Sequence, residues 1–111
     1  MAWINVCGVD DLQADSGVCA LVAGQQVALF YMPKDGAVFA VHNYDPCGKA
    51  NVLSRGLIGD IAGQPVVASP LYKQHFNLET GVCLEDETVC IPVYPVRIDG
   101  GNVQINMGEA L

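Results

Sequence analysis

Four side chains that can bind a transition metal fall in two short segments of the sequence: His42, Asp45, Cys47 and His75. Their nitrogen, oxygen and sulfur atoms are the donors that zinc accepts in proteins. Zinc sites take their ligands mostly from close pairs such as C-x-x-C or H-x-x-x-H, however. His75 lies 28 residues after Cys47 and has no such partner. The spacing therefore favours two unrelated histidines near loop ends over a metal site.

Hydroxyl groups for nucleophilic catalysis are available at Ser54 and Ser69. Neither serine lies in G-x-S-x-G, the strained turn that exposes the nucleophile of many hydrolases. Members of a catalytic triad can lie far apart in the sequence, so an arrangement that includes His75 stays open. A new active site around Asp45, Ser69 and His75 is thus one alternative, and it predicts turnover by the isolated chain.

Sites for phosphate or calcium are not indicated. The sequence has neither a G-x-G-x-x-G nor a Walker motif for a phosphate-binding loop. The acidic run 85–87 lacks the wider D-x-D-x-D-G spacing of a calcium loop, and we expect it to be a solvated turn. The segments 42–56 and 68–76 remain, which are long for loops and too apolar to be disordered.

Short β-strands are the elements that must position these two segments. Residues 18–23 and 26–31 flank the dipeptide Gly24-Gln25 and predict a hairpin, and residues 37–42 predict a third strand. Both faces of these runs are apolar, so we expect them in the centre of the fold.

The C-terminal segment alternates between apolar and polar residues. Tyr94, Val96 and Ile98 precede a turn at residues 99–101, and Val103, Ile105 and Met107 follow it. We expect a hairpin with one face in water.

Little helix is expected. Residues 51–60 are the best candidate, but each of their two glycines costs about 1 kcal/mol relative to alanine inside a helix. We expect no more than short helical turns at residues 9–12 and within 53–57. The 111 residues therefore predict one all-β domain, 1–111, a small antiparallel sandwich or barrel with two long loops.

Composition and charge exclude several classes of function. Twelve acidic residues against five basic ones give a net charge of −7, which argues against nucleic acid or an anionic membrane as a partner. No apolar run approaches the roughly 18 residues of a membrane span. Residues 1–11 have neither the positive start nor the apolar stretch of a signal peptide, so we expect a cytoplasmic location.

The five cysteines are odd in number, and no two have the spacing C-x-x-C. A secreted disulfide framework is therefore not expected. Four of them lie among apolar residues, where a thiol behaves as a small hydrophobic side chain, and we expect burial there. These are Cys7, Cys19, Cys83 and Cys90.

The two long segments resemble the cluster-binding loops of Rieske iron–sulfur domains, which carry the motifs C-P-H and C-P-x-H. The corresponding residues are Asp45-Pro46-Cys47 and Ser69-Pro70-Leu71-Tyr72. Both loops keep the proline, but Asp45 and Ser69 stand where the resemblance places the thiolates. Cys47 and Tyr72 stand where it places the imidazoles. A Rieske cluster needs two thiolates and two imidazoles, and hard oxygen donors suit it poorly, so we expect no cofactor on this chain.

The flanks of these loops make the resemblance more specific. VLSRGLIG (52–59), VASPLYKQHF (67–76) and TGVCLEDE (80–87), together with NYDP, VCALV and QVALF, resemble the small subunit of the assimilatory NAD(P)H-dependent nitrite reductase. The resemblance covers nearly the full length. It implies a Rieske-like fold without a cluster, which serves a large catalytic subunit. In that family the large subunit carries FAD, an iron–sulfur cluster and sirohaem, and the complex reduces nitrite to ammonium in nitrate assimilation.

Without a cluster, the protruding loops are expected to form a docking face for that large subunit. Three of the five basic residues, Lys49, Arg55 and Lys73, fall in these loops, where they can pair with carboxylates of a partner. We expect the contacts to involve Arg55, Lys73, Gln74 and His75. The alternative is solvated loop charge.

A different class of function also stays open. A free-standing electron carrier with an atypical metal centre could use Cys47 as a ligand. This alternative predicts a coloured protein with a stoichiometric metal.

Overall fold

The computed structural model describes residues 3–33, 36–71 and 73–107 of the chain. Over these ranges the chain is all-β, as predicted, with twelve strands and 3-10 turns at Val9–Asp11 and Leu53–Arg55. The strands are β1 (Ile4–Gly8), β2 (Ser16–Val22), β3 (Gln25–Met32), β4 (Ala37–His42), β5 (Tyr44–Asp45), β6 (Ala50–Asn51), β7 (Leu57–Ile61), β8 (Gln64–Ala68), β9 (His75–Asn77), β10 (Val93–Tyr94), β11 (Val96–Asp99) and β12 (Asn102–Ile105). No helix in the described part of the chain is long and apolar enough to cross a membrane.

The strands pair in antiparallel sheets. A four-stranded sheet has the order β10-β4-β3-β2, and two three-stranded sheets have the orders β1-β12-β11 and β7-β8-β9. Strands β5 and β6 form a short separate pair. The sheet β7-β8-β9 and the pair β5-β6 carry the two loop segments that the sequence singled out.

Strand β3 lies at the centre of the fold because both of its faces are covered. Phe30 packs into one apolar cluster with Phe76 of β9. Its neighbour Leu29 points the other way and packs into a second cluster with Ile105 of β12. The prediction that apolar runs lie in the centre of the fold is therefore confirmed for β3 and wrong for β2, which lies at the edge of its sheet and is largely exposed.

The hairpin of β2 and β3 turns one residue earlier than predicted. Val22 pairs with Gln25, so the turn residues are Ala23 and Gly24. Their φ angles are positive, 49° and 80°, as a type I′ turn requires. The twist of this turn matches that of the strands, which is why it is favoured over a turn at Gly24-Gln25.

The best helix candidate, residues 51–60, contains a 3-10 turn and most of a strand. Leu53–Arg55 forms the turn expected within 53–57, and Leu57–Ile61 forms β7, which pairs with β8. The segment 42–56 was expected to be irregular, but it also holds the pair β5-β6.

The predicted C-terminal hairpin is formed by β11 and β12, with Val96 opposite Ile105. Tyr94 was expected on the same strand, but it belongs to β10 and pairs with Ala40. Pro95 separates the two strands and has no N–H with which to continue a ladder.

Burial of the cysteines was predicted correctly for Cys83 and wrongly for two others. Cys83 is fully buried in the first apolar cluster, whereas Cys19 and Cys90 are exposed. Cys19 lies opposite the buried Ala28, but on β2, which is the edge strand of its sheet. Apolar neighbours in the sequence do not show which strand is at an edge.

Candidate functional site

The two loops that resemble cluster-binding loops lie against each other. Loop 1 comprises residues 45–49 and joins β5 to β6, and loop 2 comprises residues 69–73 and joins β8 to β9. Tyr72 lies outside the described residues, so the fourth position of the resemblance is not located.

Loop 1 is held by two hydrogen bonds to Asp45. The backbone carbonyl of Asp45 accepts from the Lys49 N–H at 2.7 Å. Its carboxylate Oδ1 accepts from the Cys47 N–H at 2.9 Å. Lys49 takes a φ of 56°, in the left-handed region that a lysine seldom adopts.

Loop 2 repeats this arrangement around Ser69. The backbone carbonyl of Ser69 accepts from the Lys73 N–H at 3.1 Å, and its Oγ accepts from the Leu71 N–H at 3.3 Å. Lys73 has a φ of 64°. The common pattern is visible in the sequence as D-P-C-G-K and S-P-L-Y-K. This repeat is the signal in the sequence from which the matched geometry of the two loops could have been predicted.

A hydrogen bond between side chains joins the two loops. The Ser69 hydroxyl donates to Oδ2 of Asp45, and both residues have no exposed surface. Both carboxylate oxygens of Asp45 are therefore occupied, one by each loop. The structure thus brings together the two residues that stand at the thiolate positions of the resemblance, and it links them through protein atoms.

Gly48 allows this close approach of the loops. A Cβ atom at this position would lie 2.5 Å from Cδ1 of Leu71 and 3.0 Å from Oδ2 of Asp45. Glycine therefore lets Leu71 of loop 2 pack closely on loop 1, where any larger residue would displace the Leu71 side chain. Leu71 covers this contact and remains 48% exposed.

The residues at the cluster positions do not fit a Rieske cluster. Asp45 and Ser69 offer only oxygen atoms, and these already bond to each other. Cys47 packs against the apolar core, and burial raises the pKa of its thiol, with Asp45 and other acidic neighbours acting in the same direction. A raised pKa favours the thiol over the thiolate that a metal requires.

The mixed metal site considered from the sequence is also not assembled. Among residues 3–33, 36–71 and 73–107, no three His, Cys, Asp or Glu side chains converge as metal ligands do. His42 lies on β4, where its Nδ1 is 3.4 Å from the Tyr94 hydroxyl, and burial lowers its pKa.

His75 is held by Glu85, not by the loops. The His75 N–H donates to Oε1 of Glu85 at 2.7 Å, and its ring Nδ1 lies 2.6 Å from Oε2. Desolvation acts to raise the pKa of Glu85, but these bonds and the charge of the ring outweigh it and lower the pKa. The acidic run 85–87 is exposed as predicted, yet Glu85 has a specific partner that was not predicted. Of the three residues of the alternative active site, Asp45 and Ser69 are therefore hydrogen-bonded to each other, whereas His75 is bonded to Glu85.

The expected docking residues lie at one end of the sheet β7-β8-β9. Arg55 is exposed just before β7, and Lys73 is exposed just before β9. Gln74 is half-buried, and its carbonyl accepts from the Ser69 N–H at 2.8 Å. Its side-chain Oε1 is buried without a hydrogen-bond partner in the described structure, which is costly unless the amide rotates outward.

Comparison of the sequence and fold with those of known proteins assigns the chain to a family. Residues 2–106 match the sequence profile of the Rieske-like [2Fe-2S] domain. The chain is 48% identical to the nitrite reductase (NADH) small subunit of Salmonella typhimurium, over 93% of this chain and 95% of that protein. The chain belongs to the nitrite reductase small-subunit family. Within this family, the NMR structure of NirD from E. coli is 44% identical, has a TM-score of 0.88, and is matched over 97% of this chain and 98% of that one.

A further relative of this small-subunit family is a much longer protein. The nitrite reductase [NAD(P)H] large subunit of Klebsiella oxytoca is 36% identical over 109 residues, which cover 98% of this chain and 11% of that protein. In that species, one polypeptide contains a region similar to 98% of this chain.

Proposed function

We propose that this nitrite reductase small subunit is non-catalytic, holds no iron–sulfur cluster, and acts by docking to the large catalytic subunit. The observation that carries the proposal is the buried hydrogen bond between Ser69 and Asp45. It closes the two loops at the positions where a Rieske domain binds iron through thiolates. In this proposal the loops are a fixed surface with no route for electrons through them.

The relative from Klebsiella oxytoca supports a physical association. Its large subunit contains a region similar to nearly all of this chain, so the two parts occur there in one polypeptide. We infer that the separate chain binds its large subunit in trans. Nitrite reduction to ammonium then takes place on the large subunit, with the FAD, iron–sulfur cluster and sirohaem that the family resemblance implies there. A cytoplasmic location and a role in nitrate assimilation belong to the same proposal.

The charges of the loop face support docking to an acidic surface. The protein carries a net charge of −7, yet Lys49, Arg55 and Lys73 are all exposed in or beside the loops. Lys49 and Lys73 occupy left-handed positions, where a lysine costs about 1–2 kcal/mol more than a glycine would. Backbone strain of this kind persists where the surrounding structure fixes it, and it clusters at binding sites.

The experiment is a calorimetric titration of the large subunit with the purified chain. Arg55→Glu combined with Lys73→Glu should weaken binding more than tenfold, because opposed charges become like charges. The matched control is Arg55→Lys with Lys73→Arg, which keeps both charges and should bind within about threefold of the natural chain. If the natural chain did not bind, the docking proposal would be overturned. If the charge-reversed double variant bound with the same affinity as the natural chain, Arg55 and Lys73 would have no role in docking.

The alternative of an electron carrier that uses Cys47 gains no support from the geometry. The thiol packs against the core, and its pKa is raised by burial first and by Asp45 next. The facing loop offers no second thiolate, because Ser69 stands at that position and its hydroxyl is already hydrogen-bonded to Asp45.

A further inference from the structure

The outer face of the sheet β7-β8-β9, next to loop 2, is a mixed surface on which apolar residues lie beside the hydrogen-bonded pair Asn77 and Gln64. Leu57, Ala68 and His75 lie opposite one another across the three strands, and Gly59 lies opposite Val66. Residues that pair directly across antiparallel strands project from the same face. We call this face the sheet groove.

The other face of the same sheet is turned to the core. Ile58, Val67 and Phe76 alternate with the groove residues along their strands, and all three belong to or pack against the first apolar cluster. The sheet groove therefore faces away from the protein. In the described structure no other element covers its rim, because Leu57 is 75% exposed and Ile61 is 40% exposed.

Gly59 gives the groove its depth. Across the strand from it, Val66 forms the floor and is only 2% exposed. A Cβ atom added at Gly59 would meet nothing within 4 Å, so the space above the glycine is open. The depression encloses about 250 Å³, enough for one or two aliphatic or aromatic side chains.

One end of the groove is positively charged. Leu57 and His75 both pair with Ala68 at the end of the sheet where loop 2 begins. Arg55 precedes Leu57 by two residues and Lys73 precedes His75 by two residues, so both exposed cations lie near this end. The nearby carboxylate of Glu85 is already bonded to His75. At the opposite end, the carboxylate of Asp60 accepts from the Gly63 N–H at 2.9 Å in the turn to β8.

We infer that the sheet groove receives a segment of the large subunit that inserts an apolar side chain beside Gly59 and places carboxylates against Arg55 and Lys73. The inference rests on the proposed docking function and adds the surface and the chemistry of its occupant. The relative from Klebsiella oxytoca, whose large subunit contains a region 36% identical to this chain, supports the large subunit as the occupant. The exposed apolar rim, Leu57 and Ile61, supplies the part of the affinity that does not depend on salt.

The test uses the intact large subunit and three variants of this chain. Leu57→Asp removes an apolar rim residue, and Gly59→Phe fills the open space without strain at the Cβ position. Leu21→Asp is the matched control, because Leu21 also lies on a strand and is 74% exposed. Leu57→Asp and Gly59→Phe should each bind at least tenfold more weakly, at both 0.05 M and 0.5 M salt, while Leu21→Asp should bind as the natural chain does.

Each outcome separates the surface from the function. If the natural chain binds and the variants Leu57→Asp and Gly59→Phe bind equally well, the sheet groove is not the binding surface. The docking function itself then still stands. Absence of binding by the natural chain overturns the docking function itself. Circular dichroism and urea unfolding verify that the variants fold. Sedimentation equilibrium that shows a dimer of this chain, lost in Leu57→Asp, would assign the groove to a second copy and overturn the inference.

Discussion

The Ser69 hydroxyl donates a hydrogen bond to the Asp45 carboxylate, and both side chains are completely buried. Each residue opens one of two loops of the same design, so the bond joins the loops where a cluster-binding Rieske domain has its two thiolates. A carboxylate that accepts from a hydroxyl and from a backbone N–H can remain in the interior because its oxygens are satisfied.

Removing this hydrogen bond should destabilise the fold. Ser69→Ala leaves a buried carboxylate oxygen without its donor, which costs about 2–3 kcal/mol in the free energy of unfolding. Urea unfolding followed by circular dichroism measures the change. Ser54→Ala, at a half-buried serine near the same loops, serves as the control and should change stability by less than about 0.5 kcal/mol. Equal effects of the two substitutions would contradict the assignment of a linking role to Ser69.

Restoring the four ligand types should restore cluster binding. The variant Asp45→Cys, Cys47→His, Ser69→Cys, Tyr72→His should take up two irons and two sulfides per chain on anaerobic reconstitution, because the two loops already lie in contact. The natural chain is the control and should stay colourless and free of iron under the same treatment. Ultraviolet–visible spectra with iron and acid-labile sulfide assays give the readout. Visible charge-transfer bands in the natural chain would sink the proposal of a cluster-free subunit.

Acid should weaken the link between Glu85 and His75. The pKa of Glu85 in the folded protein is lowered: desolvation alone would raise it, but the hydrogen bonds and charge of His75 prevail. A carboxyl group with a depressed pKa contributes stability above the ordinary glutamate pKa of about 4.3, and that contribution disappears as the pH falls through the folded value. The difference in urea midpoint between the natural chain and Glu85→Gln should therefore be largest at pH 6 and vanish toward pH 3. A difference that stays constant over this range would contradict the prediction.

Replacing Lys73, the residue with a left-handed backbone in loop 2, by glycine should raise the stability of the fold and lower its affinity for the large subunit. Lys73→Gly removes a steric cost of about 1–2 kcal/mol but raises the entropic cost of folding by about 0.5–1 kcal/mol, so the free energy of unfolding should rise by up to about 1.5 kcal/mol. The same variant should bind the large subunit more weakly, because it loses a cation of the docking face. Ala23→Gly, at a φ of 49° in the β2–β3 turn, is the control and should gain similar stability with unchanged affinity. If Lys73→Gly bound as tightly as the natural chain, the lysine would have no role in docking.

Strand β3 was predictable as a central strand because both of its faces are apolar. The same pattern in β2 predicted burial wrongly, because that strand lies at the edge of its sheet. The exposure of Cys19 was not predictable, since it depends on β2 being at the edge of its sheet. The same holds for the bond between His75 and Glu85, which joins residues ten positions apart through a turn of irregular structure. The residues of the loop site were identified by their resemblance, but their direct contact required the packing of two loops 24 residues apart.

The two loops are held together by protein atoms alone, through the contact at Gly48 and the hydrogen bond from Ser69 to Asp45. These groups are present as soon as the chain has been synthesised. A cluster-bound Rieske domain must be supplied with iron and sulfide before its loops are fixed, and oxygen or a chelator can undo that step. In the proposed cluster-free subunit, the fold has no such dependence. On this proposal, we expect the subunit to reach its folded shape in iron-starved and in aerated cells alike, and maturation of the large subunit to limit the assembly of the two.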